Sequence, residues 1–360
     1  MRTLKRIKQF LIVLLLLTLT AAPLAQAAEP VKIGVLHKES LSGWDYDWAA
    51  TVSTLNRDIP DHRFEMIELP WTELKEAIEK RTVDFVIASP IFSVEAGYEG
   101  NLTIIATLKR ESEELRGFEE LYGSVIFWKA NNSRINSLWD IKNKRVAAGP
   151  VLSIGGWLAA AREFAERGID LKKYCASISH YYDDEKVFSE VLQGRADFGI
   201  CRTSALEEEI FHGRLKIGEL KISNEFVAHE LPFACSTRLY PEWSFAGVTG
   251  INEELVEKVA VTLIKMTDEI GPQRTTWGIP ANYTQVHLLM KTLNMEPFAA
   301  DSSLIGTALK TLKRWLALFS AAILILGIMV FVLLRLNYKL HRVTEELEEQ
   351  RAFLKHLIDS

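Results

Sequence analysis

Residues 316–334 run for about nineteen positions without a charge, between Lys313, Arg314 and Trp315 on one side and Arg335 and Lys339 on the other. At ~1.5 Å per residue that length crosses a hydrocarbon core of roughly 30 Å, and Trp315 suits the membrane interface. A buried helix of a soluble domain would carry a polar stripe, and this run has none. The spacing predicts a transmembrane helix at 316–334. Basic residues flank both ends, so charge alone does not orient it. The amino terminus does. Arg2, Lys5, Arg6 and Lys8 precede a short apolar stretch at 10–19, followed by Ala25-Gln26-Ala27 with small residues at a cleavage site. That order reads as a bacterial secretory signal over 1–27; an uncleaved anchor would leave the next domain on the same side. Residues 28 to about 312 are therefore expected in the periplasm, and the tail from Arg335 in the cytoplasm of a single-pass inner-membrane protein.

The tail is patterned. Leu336, Leu340, Val343, Leu347, Gln350, Leu354 and Leu357 recur at spacings of four and three, with Glu345, Glu346, Glu348, Glu349 and Arg351 on the other faces. A heptad seam of this kind predicts a coiled coil over 335–360 and a homodimer; a lone amphipathic helix on the membrane is the other reading.

The 360 residues carry 48% hydrophobic and 25% charged side chains, which excludes wholesale disorder. A net charge of −5 argues against a dedicated nucleic-acid binder, because no basic surplus exists to neutralise phosphates. In the exported part, short apolar segments at 31–36, 64–69 and 83–88 alternate with helical periodicity at 48–57 and 71–80. A second block repeats this from 145–148, through helix 155–167, strand 176–180 and helix 187–193, to strand 196–201. The blocks end alike, in TVDFVIASP and RADFGICRT. Two such β-α-β-α-β blocks predict an α/β domain over 28–300. Its two lobes are 28–125 plus 232–300 and 126–231, with a linker at 301–315. Residues 123–128 and 227–237 read as the crossovers that make a hinge and a cleft.

Ligands of open α/β sheets bind beyond the carboxyl ends of the strands, near helix starts. Ser153, Gly155 and Gly156 open a helix whose hydroxyl and amides can hold an oxyanion, and Ser89-Pro90 repeats the geometry in the first lobe. Serines in such places also serve simply as N-caps. Arg202 follows a buried strand, where it suits a sulfonyl, phosphoryl or carboxylate group or else an ion pair with Glu207 or Glu208. His180 suits an anion or a core cap. Trp44, Tyr46, Trp48, Trp157, Tyr181 and Tyr182 supply an aromatic wall or packing, with Trp48 and Trp157 favouring the core. Asp183-Asp184-Glu185 reads as a solvated turn entering a helix. No hydrolase, P-loop, zinc or dinucleotide motif is present, so neither an enzyme nor a cofactor or metal is expected. Cys175, Cys201 and Cys235 are too few for a disulfide scaffold. Export permits pairing, and Cys201 and Cys235 in apolar strands read as inert thiols.

Several stretches resemble a known family. SLWDIKNKRVAAGPVLSIGGWLAAAREFAERGIDL, LQGRADFGICRTSALEE, STRLYPEWSFA and PANYTQVHLLMKTL are similar to segments of the phosphate/phosphonate-type periplasmic binding-protein superfamily, and most similar to the sensor domains of tetrathionate-sensing histidine kinases. The resemblance covers 31 to about 297. It implies a type II periplasmic binding fold, ligand contacts from Ser153, Gly155, His180, Arg202 and Thr203, and two-component signalling. In the phosphonate branch an acidic residue follows the second Asp-x-Gly strand and receives a substrate amine. Thr203 stands there in this chain, which disfavours an aminophosphonate and favours a sulfur oxyanion or another small anion. The expectation is a periplasmic sensor that transmits cleft closure across the membrane to a kinase or response-regulator output. The chain is then the sensory portion of a longer receptor, or a receptor working through partners. The alternative is a membrane-tethered binding protein feeding an ABC importer for phosphonate, phosphate or sulfur oxyanions, in which the heptad tail is idle.

Overall fold

A computed structural model describes residues 30–37, 48–112, 117–223, 232–266, 275–299 and 304–358. The secretory signal at 1–27, Trp44 and Tyr46, and the first part of the expected return crossover lie outside the described residues. The rest divides into a unit up to Leu293 and a second from Asn294.

The first unit opens with β1 (Val31–Leu36), α1 (Trp48–Asp58), β2 (Phe64–Leu69), α2 (Trp71–Glu79), β3 (Phe85–Ala88) and α3 (Pro90–Tyr98). β1 and β3 are buried along nearly their whole length, as strands covered on both faces by helices must be. β1 pairs in parallel with both β2 and β3. β4 (Leu102–Ser112), with β5 (Gly117–Glu119) on it, then runs antiparallel to strands that return much later in the chain.

The second sheet is built from β7 (Ser124–Lys129), β8 (Arg145–Ala148), β9 (Ser177–His180), β10 (Phe198–Arg202) and β11 (Leu220–Ile222), in the order β11-β7-β10-β8-β9. Its helices include α4 (Ala159–Ala165), α5 (Leu171–Tyr174), α6 (Asp184–Leu192) and α7 (Ala205–Phe211). The chain re-enters the first sheet through β13 (Ser244–Val248), α8 (Glu253–Lys265), β14 (Thr275–Gly278) and α9 (Thr284–Thr292). The first sheet is thus ordered β14-β4-β13-β3-β1-β2. Trp48 of α1 packs on Trp243 and Trp277 at 5.7 and 6.0 Å between centroids, the core role expected of it.

The lobes meet at a two-stranded antiparallel ribbon of β6 (Leu121–Tyr122) and β12 (Tyr240–Pro241), with Tyr240 opposite Tyr122. This shifts the first crossover from the expected 123–128. Ser124–Lys129 is a strand of the second sheet, five of its six residues buried. A continuously apolar extended run fits a buried strand and a linker equally well, and tertiary pairing decides.

In the second unit, α10 (Leu304–Ile358) is one helix of 55 residues. Residues 304–315, expected as a linker, are already helical, since Ala308, Leu309, Lys310, Leu312 and Lys313 are good helix formers that outweigh the single Gly306. Residues 311–345 are long and apolar enough to cross a membrane, and Ile323, Leu324, Ile325 and Ile328 are exposed.

Candidate functional site

Six of the seven expected residues converge where β8, β9 and β10 end. β8 gives way to Gly149, whose amide donates to the carbonyls of Gly156 (3.0 Å) and Ile200 (3.1 Å). A Cβ on Gly156 would lie 2.8 Å from the Gly149 Cα, so this approach needs two glycines. Ser153 caps the π-helical turn Ile154–Leu158, its Oγ accepting from the Gly156 amide at 3.0 Å. The turn runs directly into α4. Gly155 seats on Arg202, where a Cβ would approach Arg202 Cβ and the Gly123 carbonyl at 3.0 Å. Its own carbonyl accepts from Ser124 Oγ at 2.6 Å.

That leaves the first amides of the turn. Ile154 and Gly155 are buried, and among the described residues neither N–H donates to a backbone or side-chain acceptor. Unpaired N–H groups at a helix start carry partial positive charge and bind anions. His180 stands beside them at the end of β9. Its Nδ1 donates to the Gly149 carbonyl at 2.7 Å, because a carbonyl can only accept. This fixes the tautomer of the neutral ring and leaves Nε2 for another partner. The ring meets Trp157 edge-on, at 5.2 Å and 89°. Trp157 is buried, as expected, yet it also orients His180.

Arg202 is buried and forms an ion pair across the lobes with Glu242. Its guanidinium covers the Tyr122 ring at 4.0 Å from the centroid. Glu208 instead accepts from Arg110 of β4 at 3.2 Å, and Arg110 also donates to Ser204 Oγ at 2.8 Å. Glu207 accepts from the Ala234 amide at 2.6 Å. Thr203 is buried, its amide donating to the Gly123 carbonyl at 3.0 Å and its Oγ1 accepting from the Gly123 amide at 3.2 Å. Both residues tie the end of β10 to the hinge.

Ser89 sits in the other lobe at the end of β3, capping α3 through the Phe92 amide at 3.4 Å with Pro90 at the first helical position. Asp183 caps α6 by accepting from the Glu185 amide at 2.9 Å. Asp184 is half-buried rather than solvated: burial pushes its carboxyl up to about 7, with Arg202 and Arg110 pulling it down and Asp183 and Glu209 pushing it up. Tyr182 is exposed and Tyr181 packs against the second lobe's core. Cys201 and Cys235 are buried free thiols, and burial raises both, Cys235 to about 11. Glu242, Tyr122, Ser124, Gly149 and Arg110 escaped the sequence reading. Glu242, inside the YPEW stretch, and Gly149, inside the AAGPVLSIGGW stretch, had a visible signal.

Similarity to known proteins agrees with this architecture. The tetrathionate sensor histidine kinase TtrS of Salmonella typhimurium is 25% identical over 317 residues, covering 85% of this chain and 50% of TtrS. The chain thus spans about half the length of that curated relative. PhnD1 from Prochlorococcus marinus, solved in complex with methylphosphonate, superposes with a TM-score of 0.53 at 14% identity, over 73% of this chain and 98% of that one. XAC2383 from Xanthomonas citri, solved bound to ATP, gives 0.54 at 16% identity, over 73% and 94%. Both share the two-lobed α/β periplasmic binding-protein fold. Residues 33–300 match the family model described as ABC transporter, phosphonate, periplasmic substrate-binding protein, and the chain belongs to that family.

Proposed function

We propose that this chain is a membrane-anchored periplasmic sensor that binds a small oxyanion, with a sulfur oxyanion favoured, and conveys binding through α10 to a cytoplasmic output. The observation that carries the reading is the pair of buried amides at Ile154 and Gly155, beside the Ser153 hydroxyl and His180 Nε2. Two N–H donors, a hydroxyl and an imidazole suit the oxygens of one compact anion. In this reading Gly155 and Gly156 let the anion approach the backbone, Arg202 and Thr203 hold the cleft wall, and Ser89 caps the facing lobe. The relative whose name specifies tetrathionate supports the sulfur oxyanion. The exposed apolar stretch of α10 supports a single pass through the inner membrane, and the heptad spacing from Leu336 supports a homodimeric coiled coil.

A membrane-tethered carrier for an ABC importer is the second reading, favoured by the family's description. Cross-linking separates the two. With Leu340→Cys in isolated native membranes treated with copper phenanthroline as the oxidant, the sensor forms disulfide-linked dimers and the tethered carrier stays monomeric.

Thermal melting of the full chain in lipid nanodiscs tests the oxyanion. The panel is tetrathionate, thiosulfate, sulfite, sulfate, phosphate and methylphosphonate. An anion at 100 times its dissociation constant adds about 2.7 kcal/mol, which melting resolves. A shift with a sulfur oxyanion, reduced in Ser153→Ala, supports the proposal; no shift with any of the six ends it.

A further inference from the structure

The helix that begins at the proposed anion site carries a buried arginine that grips the other lobe. The turn Ile154–Leu158 continues without a break into α4, so Ile154 and Arg162 belong to one stiff segment about 12 Å long at ~1.5 Å per residue. Arg162 is 3% exposed. Its Nη1 donates to the Tyr240 hydroxyl at 3.2 Å, and to the main-chain and side-chain oxygens of Gln285, each at 3.0 Å. Its Nε donates to Glu166 at 2.8 Å. Glu166 accepts from Arg238, which also donates to the buried carboxylate of Glu163. Tyr240 belongs to the hinge ribbon. Gln285 lies in the first turn of α9, which precedes α10 in the chain.

The other end of this segment is poised between two registers. The Ser153 carbonyl accepts from both the Trp157 amide (3.1 Å) and the Leu158 amide (2.9 Å), one an α-type bond and the other a π-type bond. A contact that ties up or releases the amides of Ile154 and Gly155 bears directly on that choice. Any resulting displacement of α4 reaches α9 through Arg162, which holds a main-chain oxygen as well as a side chain. A packing contact alone would not need a buried guanidinium there. The geometry points to Arg162 as the coupling residue through which occupancy of the Ser153–Gly156 turn is passed to α9 and toward the membrane helix. This rests on the oxyanion reading for the nature of the stimulus, but not for the mechanical link.

Hydrogen–deuterium exchange of the α9 amides, in the full chain in nanodiscs, tests it with the same six anions as probes. In the wild type, an anion that raises the melting temperature slows α9 exchange by about tenfold. Arg162→Met binds the anion within about threefold of the wild type and loses the slowing, and Arg162→Lys restores part of it. Equal slowing in Arg162→Met, or binding without slowing in the wild type, overturns the coupling. A second arm needs no anion. Gly156→Ala drives a Cβ toward Gly149 and displaces the turn. It is expected to change α9 exchange by about threefold or more with Arg162 in place and not in the Arg162→Met background. The same change in both backgrounds, or none in either, overturns the coupling even if no anion binds and the oxyanion reading has failed. Ser153→Ala replaces Gly156→Ala if the latter does not fold.

Discussion

The Arg202 guanidinium lies 4.0 Å from the centroid of the Tyr122 ring, so the end of the second lobe's central strand is stacked on the hinge ribbon. Glu242, fully buried just after the ribbon's other strand, completes the arrangement with an ion pair. Burying two charges is costly, and removing one partner is costlier than replacing both. Glu242→Ala is expected to lower stability by about 3–5 kcal/mol with no anion present, as read by urea denaturation of the binding domain in the full chain. A change under about 0.5 kcal/mol would mean that the pair does not hold the lobes.

The Gly149–Gly156 approach has a narrower consequence. Alanine at 156 meets backbone, which cannot rotate away, whereas alanine at the open, positive-φ Gly194 meets no neighbouring atom. Gly156→Ala is expected to cost about 1–3 kcal/mol in thermal melting and to abolish any anion-induced shift. Retention of the full shift would contradict the placement of the anion at this turn.

Asp184 gives the domain a pH dependence. Its carboxyl is raised to about 7 by burial, so the folded state holds this proton more tightly than the unfolded chain, whose carboxyl titrates near ~3.9. The contribution is fully present below about pH 4 and is lost as pH rises through about 7. Melting temperature measured from pH 4 to 8 should therefore fall more steeply in the wild type than in Asp184→Asn. Identical slopes would contradict a buried, protonated Asp184.

The thiols are expected to be slow. Cys201 is pushed well above its ordinary range, and Cys175 and Cys235 to about 11, all chiefly by burial. Thiolate is the reactive form, so at pH 8 iodoacetamide should label none of the three quickly. Half-buried Cys175 should precede the other two. Rapid labelling of Cys201 in the folded protein would contradict its burial.

The parallel blocks were legible because each strand is a short apolar run closed by a polar turn, and Ser153 and Ser89 because N-caps have a local signature. The rest is non-local. β13 pairs with both β4 and β3 across more than a hundred residues, and these pairings complete the first sheet. Arg202 was visible as a cation at a strand end, but its partner lies 40 residues on, in the other lobe. The nearer Glu207 and Glu208 were the natural candidates by spacing, and they are engaged by the Ala234 amide and Arg110 respectively. The partial burial of Asp184 was hidden too, because an acidic triplet at a helix start looks solvated until the neighbouring elements cover it.

If the turn at Ser153 holds an oxyanion, a binding isotherm reports it. Isothermal titration of the full chain in nanodiscs with tetrathionate would be compared with the same titration of Gly155→Val, whose side chain would crowd Arg202 and the Gly123 carbonyl. Saturable binding at one site per chain is expected in the wild type, and at least about a hundredfold weaker binding in the variant. Equal affinity in a folded Gly155→Val, or no heat and no melting shift in the wild type with any of the six anions, would contradict an oxyanion held at this turn.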